Sequence, residues 1–218
     1  MQSQYGARMG TSVSIDRGSV EPLSGVLEGD GSMGILLAHG AGAGQQHPFM
    51  VGMRERLAAR GYLVLSFDYP YMAAGRKAPD RLPMLVEAHT AAADYLAARA
   101  SSLVFAGKSM GGRVGSHVEG FDDRRRVFLG YPLVALGKSE PRDTSHLDRL
   151  TAGMLFVQGE KDRMGPLELV KPVVRRVGAS LHVVVDGDHS FKVPKKTGRS
   201  EDDVLDEISD VMVAWLGE

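Results

Sequence analysis

Two short stretches near the start of the chain, Ser12 to Ile15 and Val20 to Leu27, alternate weakly between apolar and polar residues, with Gly18 between them. Period-two alternation marks a strand with one wet face, so the pair predicts two edge strands in a hairpin. Six further segments are short and almost wholly apolar: Gly34 to Ala38, Tyr62 to Phe67, Leu103 to Ala106, Val127 to Leu129, Met154 to Val157 and Leu181 to Val185. Runs of this length without alternation predict strands buried on both faces. Between them lie segments of helical spacing. Phe49, Met50, Met53 and Leu57 fall on one side of a helix over Phe49 to Arg60, closed by Gly61. Leu85 to Arg99 is Ala-rich and predicts a long helix. Ser109 to Glu119, Leu167 to Val177 and Val204 to Leu216 complete the set, the last carrying the only tryptophan, Trp215. Tyr69 to Pro83 and Tyr131 to Arg149 read as loops.

Strands that alternate with helices imply a mostly parallel sheet with helices on both faces, an α/β fold. Right-handed crossovers then place the functional loops at the carboxyl ends of the strands. Length fits one such domain over 1–218, with residues 1–10 expected to be poorly ordered. Hydrophobic residues make up 43% of the 218 and charged residues 24%, the balance of an ordinary globular protein. The net charge of -1 gives no reason to expect a nucleic-acid or membrane partner. There are no cysteines, which removes disulfides, thiolate metal sites and cysteine nucleophiles together. The first ten residues are polar and include Arg8, unlike a secretory signal, and no run is long enough to span a bilayer. The expected location is cytoplasmic.

Chemistry enters with Gly107-Lys108-Ser109-Met110-Gly111, which follows a predicted strand and opens a predicted helix. Gly-x-Ser-x-Gly in that context predicts a nucleophile elbow, a sharp turn that lifts a serine hydroxyl out of the fold. Gly107-Lys108-Ser109 also resembles the end of a phosphate-binding loop. That loop needs a glycine at position 102, where this chain has Ser102. The run Ala41-Gly42-Ala43-Gly44 does not complete a dinucleotide fingerprint in either register.

A serine nucleophile needs an imidazole base, and the imidazole needs a carboxylate to fix its tautomer. Of seven histidines, His89 and His117 fall in predicted helices and His182 inside the last strand. His189 follows the last strand in Asp186-Gly187-Asp188-His189-Ser190-Phe191, where a base belongs. Asp162 follows the preceding strand in Gln158-Gly159-Glu160-Lys161-Asp162, with Glu160 and Asp188 as competitors. The order Ser109, Asp162, His189 matches the α/β-hydrolase arrangement. An oxyanion hole needs two backbone N–H groups. Met110 is expected to supply one, and the small-residue loop after the third strand the other, from Ala41 or alternatively Gly42. His39 is expected to orient that loop by hydrogen bonds. Asp68, at the end of the fourth strand, is expected to hold the loop that follows it.

His39-Gly40-Ala41-Gly42, Gly107 to Arg113 and the Asp162 and His189 loops together resemble the α/β-hydrolase superfamily. Closest are its small dienelactone-hydrolase-like members, which include the testis-expressed hydrolase-like proteins. Phe67 to Met72, Arg76 to Pro79 and Gly130 to Leu133 add to the likeness, which runs from Gly34 to the C-terminus. The resemblance implies an eight-stranded sheet whose second strand is antiparallel and a Ser–His–Asp triad at its carboxyl edge. Typical dienelactone hydrolases use a cysteine nucleophile, which this chain lacks, so their substrate does not carry over. Lys108 beside the nucleophile is unusual among hydrolases generally.

The segment Tyr131 to Arg149 is too short for an elaborate cap, so a minimal lid and an open cleft are expected. Phe49, Met50, Tyr71, Met72 and Met110 are candidate walls, with His39 and His146 as further substrate contacts and Arg142, like His146, expected at the cleft edge. Arg76, Lys77 and Arg81 are a candidate attraction for an acidic substrate. The expected function is hydrolysis of small carboxylic esters or thioesters without metal or organic cofactor, on a small-molecule acyl substrate. A hydrolase-fold interaction module without turnover and a small peptidase are the alternatives. No oligomeric state follows from the sequence.

Overall fold

The computed structural model describes residues 10–135, 137, 138 and 140–217. The expectation about the first ten residues falls almost wholly on 1–9, outside the described residues. Eight strands form one sheet: β1 (Thr11–Arg17), β2 (Val20–Glu28), β3 (Met33–Ala38), β4 (Leu63–Phe67), β5 (Ser102–Lys108), β6 (Arg126–Leu129), β7 (Met154–Gly159) and β8 (Ser180–Val184). Their order is β1-β2-β4-β3-β5-β6-β7-β8. The hairpin β1–β2 is antiparallel, and β2 joins β4 antiparallel; every other pairing is parallel. This is the α/β-hydrolase fold, and β2 is its antiparallel second strand.

The helices are α1 (Pro48–Ala59), α2 (Pro70–Ala73), α3 (Leu82–Ala97), α4 (Met110–Gly115), α5 (Leu167–Arg176) and α6 (Glu201–Gly217). Strand periodicity sorts the core into two layers. Ile35, Leu37, Val104, Ala106, Val127 and Leu129 turn toward α1 and α6, where Met53, Leu57, Ile208 and Met212 meet them. Their neighbours Leu36, Leu103 and Phe105 turn the other way, onto α3 and α4. On that second face Phe128 and Phe156 pack against α5 and the segment after β6. Both faces are dry, which is why these strands read as unbroken apolar runs.

Four elements differ from the sequence expectation. Of the two expected edge strands only β1 is one; β2 lies between β1 and β4 and pairs with both. The helix after the elbow stops at Gly115 instead of Glu119. Gly111, Gly112 and Gly115 make it a weak helix, and arginines take the carbonyls beyond it. Arg126 Nε donates to the Gly115 carbonyl, and Arg149 Nη2 to those of Ser116 and Val118. The loop Tyr69 to Pro83 contains α2 and the start of α3, each opening on a proline at the first or second helical position. Proline fixes φ for that role, but its presence in a turn-rich stretch reads as loop. The segment after β6 holds a 3-10 turn, Ser145–Arg149, and is otherwise short, as expected of a minimal lid.

Candidate active site

β5 ends at Lys108, and the chain reverses into α4 through Ser109, whose backbone sits at φ 50 and ψ -113. A left-handed φ is unfavourable for a serine and holds only where the surroundings enforce it. The flanking glycines show how. A side chain at Gly107 would lie 2.2 Å from the Gly112 nitrogen, and one at Gly111 would lie 2.5 Å from the Ala38 carbonyl oxygen. The turn therefore presses α4 against the ends of β5 and β3 and leaves the serine as the residue that projects. This is the elbow anticipated from the motif.

The loops after β7 and β8 bring their side chains to it. The Ser109 hydroxyl lies 2.8 Å from His189 Nε2, and His189 Nδ1 lies 2.8 Å from Asp162 Oδ2. A ring that donates from Nδ1 to a carboxylate keeps a lone pair on Nε2, facing the hydroxyl. Asp162 is buried at 2% exposure and accepts from three more donors: Gln158 Nε2 at 2.6 Å, Met164 N–H at 2.8 Å and Gly165 N–H at 3.1 Å. Its charge is thus solvated by protein dipoles and its orientation fixed. The competitors are occupied elsewhere. Glu160 accepts from the Asp186 N–H, and Asp188 accepts from the N–H groups of Ser190 and Lys192, shaping the loop that presents His189.

Lys108 closes the arrangement from below. Its Nζ donates to the His189 carbonyl at 2.6 Å and lies 5.1 Å from the centre of the Phe191 ring. Burial pushes its pKa down to about 8 against the partial support of Asp162 and Asp188. Met110 opens α4, so its N–H has no acceptor within the helix. Among the described residues the Ala41 N–H has no acceptor either. Gly42 adopts φ 73 in the turn beyond.

Two cavities open on either side of Ser109 and share Ala41, Ser109 and Met164. One, of about 330 Å³, is walled by His47, Phe49, Met50, Lys108 and His189. The other, of about 270 Å³, is walled by Leu82, Leu85, Met110, Arg113, Pro132 and Arg142. Of the candidate walls, Phe49 and Met50 line the larger cavity and Met110 the smaller.

Other candidates do not line either cavity, Arg76, Lys77 and Arg81 among them. His39 is fully buried beneath the loop: Nδ1 donates to the Gly40 carbonyl at 2.7 Å, and Nε2 accepts from the Tyr69 N–H at 3.2 Å. Burial lowers its pKa, which fits this neutral ring. It orients the loop and touches no cavity. Tyr71 is fully buried in the core with its ring edge toward His39, and half-buried Met72 packs against the same core. Helix α2 turns both inward, which a loop assignment does not foresee. His146 lies behind α4, bonded to Ser116 Oγ at 2.9 Å and Tyr131 OH at 3.2 Å. Gly42 lies off both walls, whereas Ala41 is on both. Asp68 holds the loop before it instead of the loop after it, accepting from the Gln45 N–H at 2.8 Å.

Sequence reasoning did not single out His47, Gln158, Met164 or Arg113. None of the four carries a sequence signal of its own; Gln158 merely follows the apolar run Met154 to Val157.

Residues 31–217 match the family model of an alpha/beta hydrolase domain. Among solved structures, the dienelactone hydrolase of Anabaena variabilis is 19% identical over 96% of each chain, with a TM-score of 0.76. Est1E from Butyrivibrio proteoclasticus is 14% identical, over 95% of this chain and 99% of that one, with a TM-score of 0.72. An a/b serine hydrolase without lid from Xanthomonas campestris is 17% identical, over 84% of this chain and 87% of that one, with a TM-score of 0.68. At such identities the likeness is one of fold.

Proposed function

The chain belongs to the alpha/beta hydrolase family, and from that premise we propose that it is a serine hydrolase of small carboxylic esters or thioesters. The observation that carries this reading is the continuous hydrogen-bonded run from Ser109 through His189 to buried Asp162, with Ser109 at the junction of two cavities. Ser109 Oγ attacks the acyl carbon as His189 Nε2 takes its proton. The carbonyl electrons move onto oxygen, where the N–H groups of Met110 and Ala41 meet the negative charge. Collapse expels the alcohol or thiol, which takes the proton from His189, and leaves an acyl-serine. Water, deprotonated by the same ring, releases the acid and restores the hydroxyl. Asp162 holds His189 in the productive tautomer and steadies the imidazolium between the two transfers.

A fluorophosphonate probe tests this directly. The protein is expected to be labelled, and Ser109→Ala and His189→Ala to abolish labelling while both variants stay folded. Turnover of short p-nitrophenyl esters is expected to fall by about 10⁴-fold or more in either variant. A folded wild-type protein that takes no label would overturn the reading.

A further inference from the structure

Positive charge at the smaller cavity is unmatched. Arg113 sits one turn into α4, its N–H donating to the Ser109 carbonyl at 3.1 Å, and Arg142 lies in the segment after β6. Both line the 270 Å³ cavity, and the Nε of each is buried with no acceptor among the described residues. Other buried guanidinium groups have partners; Arg17 and Arg126, which also have one buried nitrogen without an acceptor, bond Glu87 and backbone carbonyls through the rest. Arg54 bonds Glu28, Arg56 bonds Asp202 and Asp206, and Arg126 donates to carbonyls. Arg142 instead meets the charge of Arg113: burial and then that charge lower the Arg142 pKa. Two like charges held together in a partly dry wall are unfavourable unless an anion enters between them.

The cavity's acidic residue does not serve that purpose. Asp80 is paired with Arg76 through Oδ1 at 2.6 Å, and its other oxygen is buried without a donor. A second negative charge on a dianion would sit against it, so a monoanion fits better than a phosphate. A carboxylate is also the planar acceptor that a guanidinium fork matches. The side of the cleft follows from His189, which lines the other cavity only. The group that receives the His189 proton is the leaving group, so it lies on that side and the acyl part lies with the arginines.

Resting on the serine-hydrolase reading, we propose that the substrate's acyl part ends in a carboxylate held by Arg113 and Arg142, making the protein a hydrolase of dicarboxylic acid half-esters or half-thioesters. The test compares p-nitrophenyl hemiglutarate with p-nitrophenyl pentanoate, a neutral ester of similar reach. In the wild type, kcat/KM is expected to be at least tenfold higher for the hemiglutarate. That ratio is expected to fall about tenfold in Arg142→Gln and by less in Arg142→Lys, which keeps charge but not the fork. Equal kcat/KM for the two esters in the wild type, or an unchanged ratio in Arg142→Gln, overturns the proposal.

Binding separates this from the catalytic reading. Calorimetry of monomethyl glutarate on Ser109→Ala needs no turnover. Binding that weakens about tenfold in Ser109→Ala/Arg142→Gln supports the anion site even if the probe never labels Ser109. No binding, or displacement by inorganic phosphate more readily than by glutarate, rejects a carboxylate site while leaving Ser109 labelling intact.

Discussion

Lys108 shows what a single side chain does when its environment decides its chemistry. It stands beside the elbow serine, and its ammonium holds the main chain of His189 from beneath. Lys108→Met keeps most of the volume and removes the strap. Ester turnover is expected to drop about tenfold, because a base released from its position meets the hydroxyl less often. Stability moves differently. The folded lysine has its pKa at about 8 and the unfolded one at 10.5. Between these values the unfolded chain carries a proton that the folded chain does not. Wild-type stability relative to Lys108→Met is therefore flat below about pH 8 and rises above it, by up to about 1.4 kcal/mol per pH unit. Denaturant unfolding at pH 7, 8.5 and 10 measures the slope, and parallel curves would refute the burial of this charge. At this scale the sequence was readable where chemistry demands a residue type after a strand, as for Ser109, Asp162 and His189. It was silent on Lys108, Gln158 and Met164, whose roles depend on which loops meet in space.

Between elements, polar contacts carry the loop of Ala41 onto the sheet. Arg54 on α1 donates to Glu28 of β2 at 2.9 Å and to Ser66 of β4 at 3.0 Å. Ser66 donates to Gln45, and Gln45 returns to Asp68 and to the Ser24 carbonyl. Glu28 is 5% exposed, so its carboxylate depends on Arg54 for solvation. Arg54→Ala is expected to destabilise the fold by about 3 kcal/mol or more, since a buried charge is left alone. The double variant Glu28→Gln/Arg54→Met is expected to recover most of that loss. Equilibrium urea unfolding of the three proteins decides it; a double variant no better than Arg54→Ala would show that packing, not charge, holds this joint. Strands β3 to β8 were legible because a sheet covered on both faces writes an apolar run for each one, and β1 and β2 by their alternation. The short helices were not. The glycines that make α4 thin enough to reach β3 also end it at Gly115, short of the expected Glu119, and the prolines that open α2 and α3 look like breakers until the chain on either side is seen.

Across the molecule, neutral histidines fill the face that carries α3, α4 and the segment after β6. His89 is fully buried between Tyr69, whose hydroxyl lies 2.8 Å from Nδ1, and Phe105, on which its ring stacks. Burial, reinforced by the charge of Arg126, lowers its pKa to about 3. His117 and His146 stack at 3.7 Å, and burial lowers them to about 4 and about 3, with Arg113 and Arg149 adding to the effect on both. In each case the folded value lies below the unfolded 6.5, so acid favours the unfolded chain, which binds protons the fold excludes. Stability is expected to begin falling as pH drops through 6.5 and to keep falling until the folded rings protonate near 4 to 3. His89 alone accounts for up to about 1.4 kcal/mol per pH unit in that window. The buried ring touches the elbow's helix, since a side chain at Gly115 would lie 3.0 Å from His89 Cε1. Charging it therefore disturbs the turn that presents Ser109. His89→Phe removes the titration and leaves the Tyr69 hydroxyl without its partner, which lowers stability by about 1 to 2 kcal/mol at pH 7 and above. Its stability curve between pH 6.5 and 4.5 is nevertheless expected to be shallower than the wild type's by one proton. Chemical unfolding across that range reads the difference, and equal slopes would mean that His89 is already charged in the fold.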